Sequence, residues 1–308
     1  MNICVTGGAG FIGSHIVDAY INQGYTVCII DNLSGGTRGN INEKAKFYEC
    51  DITSPEIEKI FEHERFDILN HHAAQIDVRI SVRNPKFDAV TNIIGGLNLY
   101  EFARRFGVKK IIFASSGGTV YGEQTEFPAT ENHTTNPISP YGVSKLSNEH
   151  YLSYYKNEYG IDYAALRYGN VFGPRQNPHG EAGVVAIFAK KLLENTQPVI
   201  NGDGQNTRDY VYVADVAAAN LAAISEEVSG AYNVGTGRER TVTEIFDILN
   251  NLTGGHFGRV HGDAKSGEQR RSVISAAKLG AACGWQPETS FEVGLERTVE
   301  FFRNIRRS

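Results

Sequence analysis

The sequence predicts an α/β protein: a doubly wound parallel sheet followed by a smaller C-terminal α/β domain. Three observations carry that expectation. Short β-rich runs alternate with longer amphipathic stretches through the first half of the chain, and strand–helix–strand alternation implies right-handed crossovers with helices on both faces of a parallel sheet. The runs are apolar throughout, not alternating, as strands covered on both faces are. A glycine-rich turn joins the first run to the first amphipathic stretch.

In chain order, strands are expected at 2–6, 26–30, 46–50, 67–70, 110–115 and 163–167, with helices at 11–23, 55–64, 86–106 and 141–159. Beyond about 167 the rhythm loosens. Glycine, proline and asparagine cluster in 169–183 and 201–207, and helices are expected at 184–194, 213–225, 243–252 and 290–306. The division is therefore placed at 1–167 and 168–308. No Pro/Ser-rich linker separates the halves, which predicts that they pack tightly.

Composition narrows the function classes. The 308 residues are 41% hydrophobic and 21% charged, as in an ordinary soluble globular protein. Thirty Lys+Arg against thirty-five Asp+Glu leave a net charge of −5, which argues against a broad nucleic-acid surface. No apolar run approaches the ~18 residues of a membrane span. The opening MNICVTGGAG has no basic segment or cleavage site, so no signal peptide is expected. Cys4, Cys28, Cys50 and Cys283 form no CxxC pair; they read as reduced thiols of a cytoplasmic protein, with no metal site.

The opening turn reads Gly7-Gly8-Ala9-Gly10-Phe11-Ile12-Gly13. Glycines there permit the tight turn, the approach of backbone N–H groups to a pyrophosphate and close helix–sheet packing. The next strand ends in Asp31, eighteen residues after Gly13. An acid at that place accepts from the adenosine ribose hydroxyls and repels a 2′-phosphate. Together they predict a Rossmann-type dinucleotide site that prefers NAD to NADP.

A second constellation, Pro140-Tyr141-Gly142-Val143-Ser144-Lys145, opens the helix at 141–159. Tyr141 and Lys145, four apart, share one helical face. A free phenol titrates near ~10, so half ionisation at neutral pH costs roughly 4 kcal/mol. A neighbouring ammonium and a cationic nicotinamide ring can supply that.

These motifs, with DNLSGG, SSGGTVYG, LRYGNVFGP, TRDYVYV and YNVGTG, run nearly end to end. The chain resembles the extended short-chain dehydrogenase/reductases, and most closely the UDP-hexose 4-epimerases. The resemblance implies the following. Gly7, Gly10, Phe11, Ile12 and Gly13 form the pyrophosphate turn; Asp31, Asn32, Leu33, Ser34 and Gly35 surround the adenosine ribose; Asp51 and Ile52 flank adenine. His72, Ala73, Ala74 and Gln75 pass behind the cofactor, Asn92 supports it, Ser115 binds it, and Tyr168 lies beside the nicotinamide. Tyr141 is the base, and Lys145 holds the nicotinamide ribose and polarises Tyr141. Asn170, Val184, Val185, Ile200, Asn201, Arg208, Glu268 and Ser272 contact the UDP-sugar. A guanidinium fork suits Arg208 to the diphosphate.

The sequence departs from that pattern in places. Gly117 stands where a serine or threonine is usual, so the hydroxyl facing the sugar oxygen is assigned to Ser116. His72 replaces a Leu or Phe, Asn201 an aromatic residue, and Lys265 an arginine. Ser272 stands where a bulky tyrosine would exclude a 2-N-acetyl group. The implied reaction is NAD-dependent inversion at C4 of a UDP-hexose, acetylated sugars included, by a homodimer joined through helices 86–106 and 141–159. A 4,6-dehydratase or decarboxylase is the rival within enzymes, but 117–119 lacks the carboxylates that dehydratases carry after the catalytic hydroxyl. A non-catalytic NAD-binding regulator is the rival outside them, although Tyr141 and Lys145 are both present.

Overall fold

The structure, a computed structural model, describes residues 1–179, 183–264 and 269–307. The first body follows the expected alternation: β1 (Asn2–Thr6), α1 (Phe11–Asn22), β2 (Thr26–Asp31), β3 (Lys46–Glu49), α2 (Ile57–Glu64) and β4 (Ile68–His71). It continues through α3 (Val78–Arg83), α4 (Pro85–Ala89), α5 (Gly95–Phe106), β5 (Lys110–Ser116), α6 (Pro140–Tyr159) and β6 (Asp162–Tyr168). The expected helix at 86–106 runs from α4 into α5 through one π-helical turn, Val90–Ile94, which carries Asn92. Such turns recur at functional sites.

The second half forms β7 (Asn170–Phe172), α7 (Val184–Leu193), β8 (Ile200–Asn201), β9 (Thr207–Tyr212), α8 (Val213–Ala222) and β10 (Gly230–Val234). It ends in β11 (Glu239–Thr241), α9 (Val242–Leu252), β12 (His261–Gly262), β13 (Arg271–Ser272), α10 (Ala277–Cys283) and α11 (Phe291–Arg307).

Seven strands make one parallel sheet in the order β10-β6-β5-β4-β1-β2-β3. The division at 167 cuts across it. β10 returns from residue 230 to pair with β6, and α8 packs on α1. The side chains of β1 show why the strands are apolar on both faces. Ile3 and Val5 face the α1/α8 side with Val17 and Val216; Cys4 faces the α2/α5/α6 side with Phe61, Leu99 and Leu152. Burial also pushes the Cys4 and Cys28 thiols up, Cys28 to about 12, so they are inert hydrophobes. The smaller layer centres on β9, which pairs with β7, β11 and β13 over a core of Phe172, Phe188, Phe246 and Leu249.

Under the carboxyl end of β5, Arg167 and Glu149 form a buried bidentate pair at 2.6–3.2 Å. Ser115 Oγ donates to the same carboxylate at 2.5 Å, and Arg167 also reaches the Tyr121 hydroxyl at 2.9 Å. Breaking a buried pair strands the partner's charge, typically at 3–5 kcal/mol. Glu149→Ala is accordingly expected to lower unfolding free energy by about 3–5 kcal/mol in denaturant titrations. A loss below about 1 kcal/mol, the level of an exposed pair, would contradict this.

Candidate active site

At the carboxyl ends of the sheet, a cavity of about 1160 Å³ opens between the turns after β1, β2, β4 and β5. This is where ligands sit in doubly wound sheets, at the point where strand order reverses; here β1 lies between β4 and β2.

Its floor is the glycine turn. Gly7 has φ +71°, and a Cβ there would lie 2.6 Å from the Ala73 nitrogen. A Cβ on Gly13 would lie 2.2 Å from the Gly7 carbonyl oxygen. The turn and the first coil of α1 therefore touch backbone to backbone, and any side chain would part them. The N-terminus of α1 has no side-chain cap, so N–H groups of its first turn are available to an anion. Gly10, Phe11 and Ile12 join Gly7 and Gly13 in the cavity wall.

At the carboxyl end of β2, Asp31 is 7% exposed. Its carboxylate accepts from the Ala9 N–H at 3.0 Å and the Leu33 N–H at 2.8 Å. Each oxygen keeps a further lone-pair site and the residue lines the cavity. Asn32 donates to Asp51 at 2.7 Å and its oxygen accepts from Ser34. Burial raises the Asp51 carboxyl, but bonds from Thr53 and Asn32 outweigh it and hold it below its usual range. Gly35 and Ile52 complete this end. Leu33 adopts a left-handed φ of 58° and lies outside the wall.

At the other end stands α6. Ser139 caps it, accepting from the Gly142 N–H, with Pro140 in the first turn. The Tyr141 N–H donates to Ser81 Oγ at 3.2 Å. Tyr141 and Lys145 both line the cavity, with Lys145 Nζ 5.5 Å from the Tyr141 ring centroid and 4.8 Å from that of Phe113. The ammonium donates to the Ala114 carbonyl at 2.8 Å. Burial lowers it to about 8, against the opposing pull of Asp88.

His72 and Tyr168 form the wall behind. Their rings stack, with Nε2 3.0 Å from the Tyr168 hydroxyl. Asn220 donates to that hydroxyl at 2.8 Å, which leaves the tyrosine proton for Nε2 and places the imidazole proton on Nδ1. Burial drives His72 to about 3, so the ring is neutral. Its Nδ1 is buried with no hydrogen-bond partner among the described residues. Ala73, Ala74 and Gln75 continue the wall. Asn92 does not line it: its amide is engaged with the Gln75 backbone and Asp88. Ser115 borders the cavity with its hydroxyl turned to Glu149.

The predicted substrate residues are placed on the smaller layer and the loop between β5 and α6. Ser116 ends β5; it and Asn170 flank Gly118, with Ser116 Oγ 4.0 Å and Asn170 Oδ1 3.9 Å from the position of a Cβ there. Thr119 Oγ1, two residues past Gly117, is buried without a partner among the described residues. Arg208 on β9 stands in register with Ser272 on β13. Asn201 is exposed at the end of β8, and Val184 opens α7. Val185 and Ile200 are fully buried in the smaller core, so any ligand contact of theirs is made by main chain. Glu268, with Lys265 and Gly267, lies outside the described residues. Sequence reasoning missed Gly36, Asn40, Arg175 and Gln176 in the cavity wall. Gly36 carried a signal, since a Cβ there would meet Ala9 main chain at 2.7 Å.

The geometry fits a dinucleotide: a glycine cradle, an uncapped helix start, an acid at the end of β2 and an unmet imidazole donor along one cavity. Residues 3–235 match the model of the NAD dependent epimerase/dehydratase family. The chain belongs to that family. It is 40% identical to the UDP-glucose 4-epimerase of Mycolicibacterium smegmatis over 99% of each chain. Its fold is similar to the crystal structure of UDP-glucose 4-epimerase from Thermotoga maritima with UDP-glucose, at TM-score 0.97 and 49% identity over 99% of this chain and 100% of that one. It is also similar to UDP-N-acetylglucosamine 4-epimerase from Methanobrevibacter ruminantium in complex with UDP-N-acetylmuramic acid, at TM-score 0.93 and 37% identity over 100% and 99% of the chains.

The family's cofactor is NAD, and Asp31 lines the cavity at the end of β2. Arg38, the nearest downstream cation, is mostly exposed and paired with Glu49. NADP is therefore expected to bind about tenfold or more weakly than NAD in calorimetry, with Asp31→Ala narrowing the gap. Equal affinities in the unsubstituted protein would show that Asp31 does not meet the ribose.

Proposed function

We propose that the chain inverts C4 of a UDP-hexose, interconverting UDP-glucose and UDP-galactose and their 2-N-acetyl counterparts through a transient 4-keto sugar. The observation that carries this reading is the Tyr141/Lys145 pair at one end of a cavity whose other end is built for a dinucleotide. Bound NAD would supply a reversible hydride acceptor: hydride removed from C4 would come back to the opposite face of the 4-keto sugar, which inverts C4 with no net redox change. Tyr141 takes the proton of the 4-hydroxyl and later gives it back. Lys145 is anchored by the Ala114 carbonyl; with its pKa near 8 it is largely charged at pH 7, which lowers the cost of forming the phenolate beside it. Ser116 donates to the reacting sugar oxygen. Arg208 binds the diphosphate, and the layer around β9 holds the nucleotide-sugar, while residues 1–167, completed by α8 and β10, hold the cofactor.

The dehydratase alternative needs carboxylates to move protons at neighbouring carbons, and the turn after Ser116 reads Gly117-Gly118-Thr119. A homodimer is supported by one apolar exterior: Phe87, Val90 and Ile94, with Val143, Tyr151 and Tyr154 on α6, are all exposed. The four cysteines are unpaired, which suits the reducing cytoplasm.

Tyr141→Phe is expected to keep the fold and NAD affinity but to lose about 10²–10⁴-fold in turnover of UDP-glucose. Retention of more than about a tenth of the activity would remove Tyr141 from the role of base.

Ser272, buried beside Arg208, supports the acceptance of acetylated sugars. Ser272→Tyr is expected to cost about tenfold or more in kcat/KM for UDP-N-acetylglucosamine while most activity on UDP-glucose remains. Equal losses on both substrates would place Ser272 away from the sugar.

A further inference from the structure

Asp209 lies on β9, one residue past Arg208, and is 2% exposed. Both of its carboxyl oxygens accept from main chain. Oδ1 receives the Thr236 N–H at 2.9 Å, and Oδ2 receives the Gly237 N–H at 3.0 Å and the Ile274 N–H at 3.4 Å. Thr236 Oγ1 stands 2.6 Å from Oδ1. A backbone N–H can only donate, so both oxygens are held as acceptors whichever way the hydroxyl bond runs. One carboxyl thereby joins three segments that are distant in sequence: β9, the turn after β10 and the chain after β13.

The glycines around it show how closely these segments are fitted. A Cβ on Gly235 would lie 2.6 Å from Asp209 Oδ2, and one on Gly169 would lie 2.8 Å from the Asp209 carbonyl oxygen. Gly169 follows β6 and Gly235 follows β10, and the Gly169 N–H donates to the Val234 carbonyl at 2.9 Å. The edge of the main sheet therefore meets the smaller layer at this residue. Ile274 carries the connection further. A Cβ on Gly117 would lie 2.7 Å from Ile274 Cδ1, so the residue whose N–H Asp209 receives also packs on the turn after Ser116. Ser272, two residues before Ile274, stands in register with Arg208. Successive side chains of a strand point to opposite faces, so holding Asp209 inward fixes the face on which β9 presents Arg208. Asp209 itself does not line the cavity built for the dinucleotide.

We propose that Asp209 is a positioning residue for the nucleotide-sugar: a buried clamp that registers the smaller layer against the end of the main sheet and so sets Arg208, Ser272 and the turn at Ser116 relative to one another. It acts through the main chain of those segments and not by contact with sugar or cofactor. The proposal rests on the reading of Arg208, Ser272 and Ser116 as substrate residues.

The test is UDP affinity in calorimetry, with kcat and KM for UDP-glucose, in Asp209→Asn. The amide keeps the size but has one oxygen, and whichever way it turns, its NH2 group meets a backbone N–H. A displacement of about 1 Å at a site can cost about 10²-fold; UDP is expected to bind about tenfold or more weakly, and KM for UDP-glucose to rise by a similar factor. The NAD content of the purified protein should stay within about twofold of the wild type. UDP affinity within about twofold of the wild type would overturn the proposal. So would a loss of bound NAD as large as the loss of UDP affinity, which marks a general weakening of the fold. Gly235→Ala keeps Asp209 and drives a Cβ against Oδ2, and it serves if Asp209→Asn does not fold. The same selective loss of UDP affinity is expected there, and wild-type affinity would overturn the clamp. Thr236→Val keeps all three N–H bonds, so its UDP affinity should stay within about twofold of the wild type. A tenfold loss would assign the effect to the hydroxyl and overturn the main-chain role. The unsubstituted protein separates the two readings. If it binds UDP and turns over UDP-glucose while Asp209→Asn matches it, only the role of Asp209 fails; if it does neither, the nucleotide-sugar reading fails and the proposal with it.

Discussion

The Lys145 ammonium rests on the Ala114 carbonyl at 2.8 Å, inside the seam where α6 crosses β5. Taking a lysine out of water disfavours its charge, so the surroundings must supply what water did. The Ala114 carbonyl near the end of β5 accepts one hydrogen bond from it, and the Phe113 ring face lies 4.8 Å away. Tyr141 is placed by the same crossing, because a residue four positions earlier lies on the same face of the helix. The Tyr141/Lys145 end of the cavity is thus a consequence of how one helix packs on one strand.

The same seam explains the density of polar groups at the carboxyl ends of β4, β5 and β6. Glu149, one turn beyond Lys145 on α6, meets Arg167 and Ser115. Behind the site, Tyr168, Asn220, Asn70 and Tyr20 pass hydrogen bonds from α8 through β4 to α1. Networks in a low-dielectric interior are costly when broken and rigid when complete. A site that must hold a phenol, an amine and a neutral imidazole in fixed relation uses that rigidity. Among the described residues, Asn70 Oδ1 within this network and His72 Nδ1 and Thr119 Oγ1 beside it are buried without a partner.

The main sheet was legible because its strands are apolar on both faces: Ile3, Cys4 and Val5 in succession have no other explanation than burial from two sides. The helix at 86–106 was legible in extent, but its π-helical turn was not, since Val90–Ile94 carries nothing in its composition that breaks the helical period. The smaller layer was legible as helices and loops. Two-residue strands such as Arg271–Ser272 have no pattern to read, and their partners lie far away in sequence. β10 was missed for the same reason: Gly230–Val234 earns its place in the sheet from β6, more than sixty residues upstream.

By itself, the sequence determined the groups whose spacing is local. The glycines at 7, 10 and 13 can serve one turn, Asp31 can end the second strand, and Tyr141 and Lys145 can share a face, because turns and helices convert short separations directly into distances. The tertiary structure decided which polar residues lie inside. Asp88 reads in the sequence as one acid on an amphipathic helix, yet it is buried against Ser144; Asn92, which the resemblance places in support of the cofactor, holds the Gln75 backbone behind the wall; and Val185 and Ile200, which it places at the substrate, have side chains that fill a core and leave only main chain for contact. Burial depends on what another segment places opposite, and that is set by the packing of α4 on α6 and of α7 on α9, which no local spacing encodes.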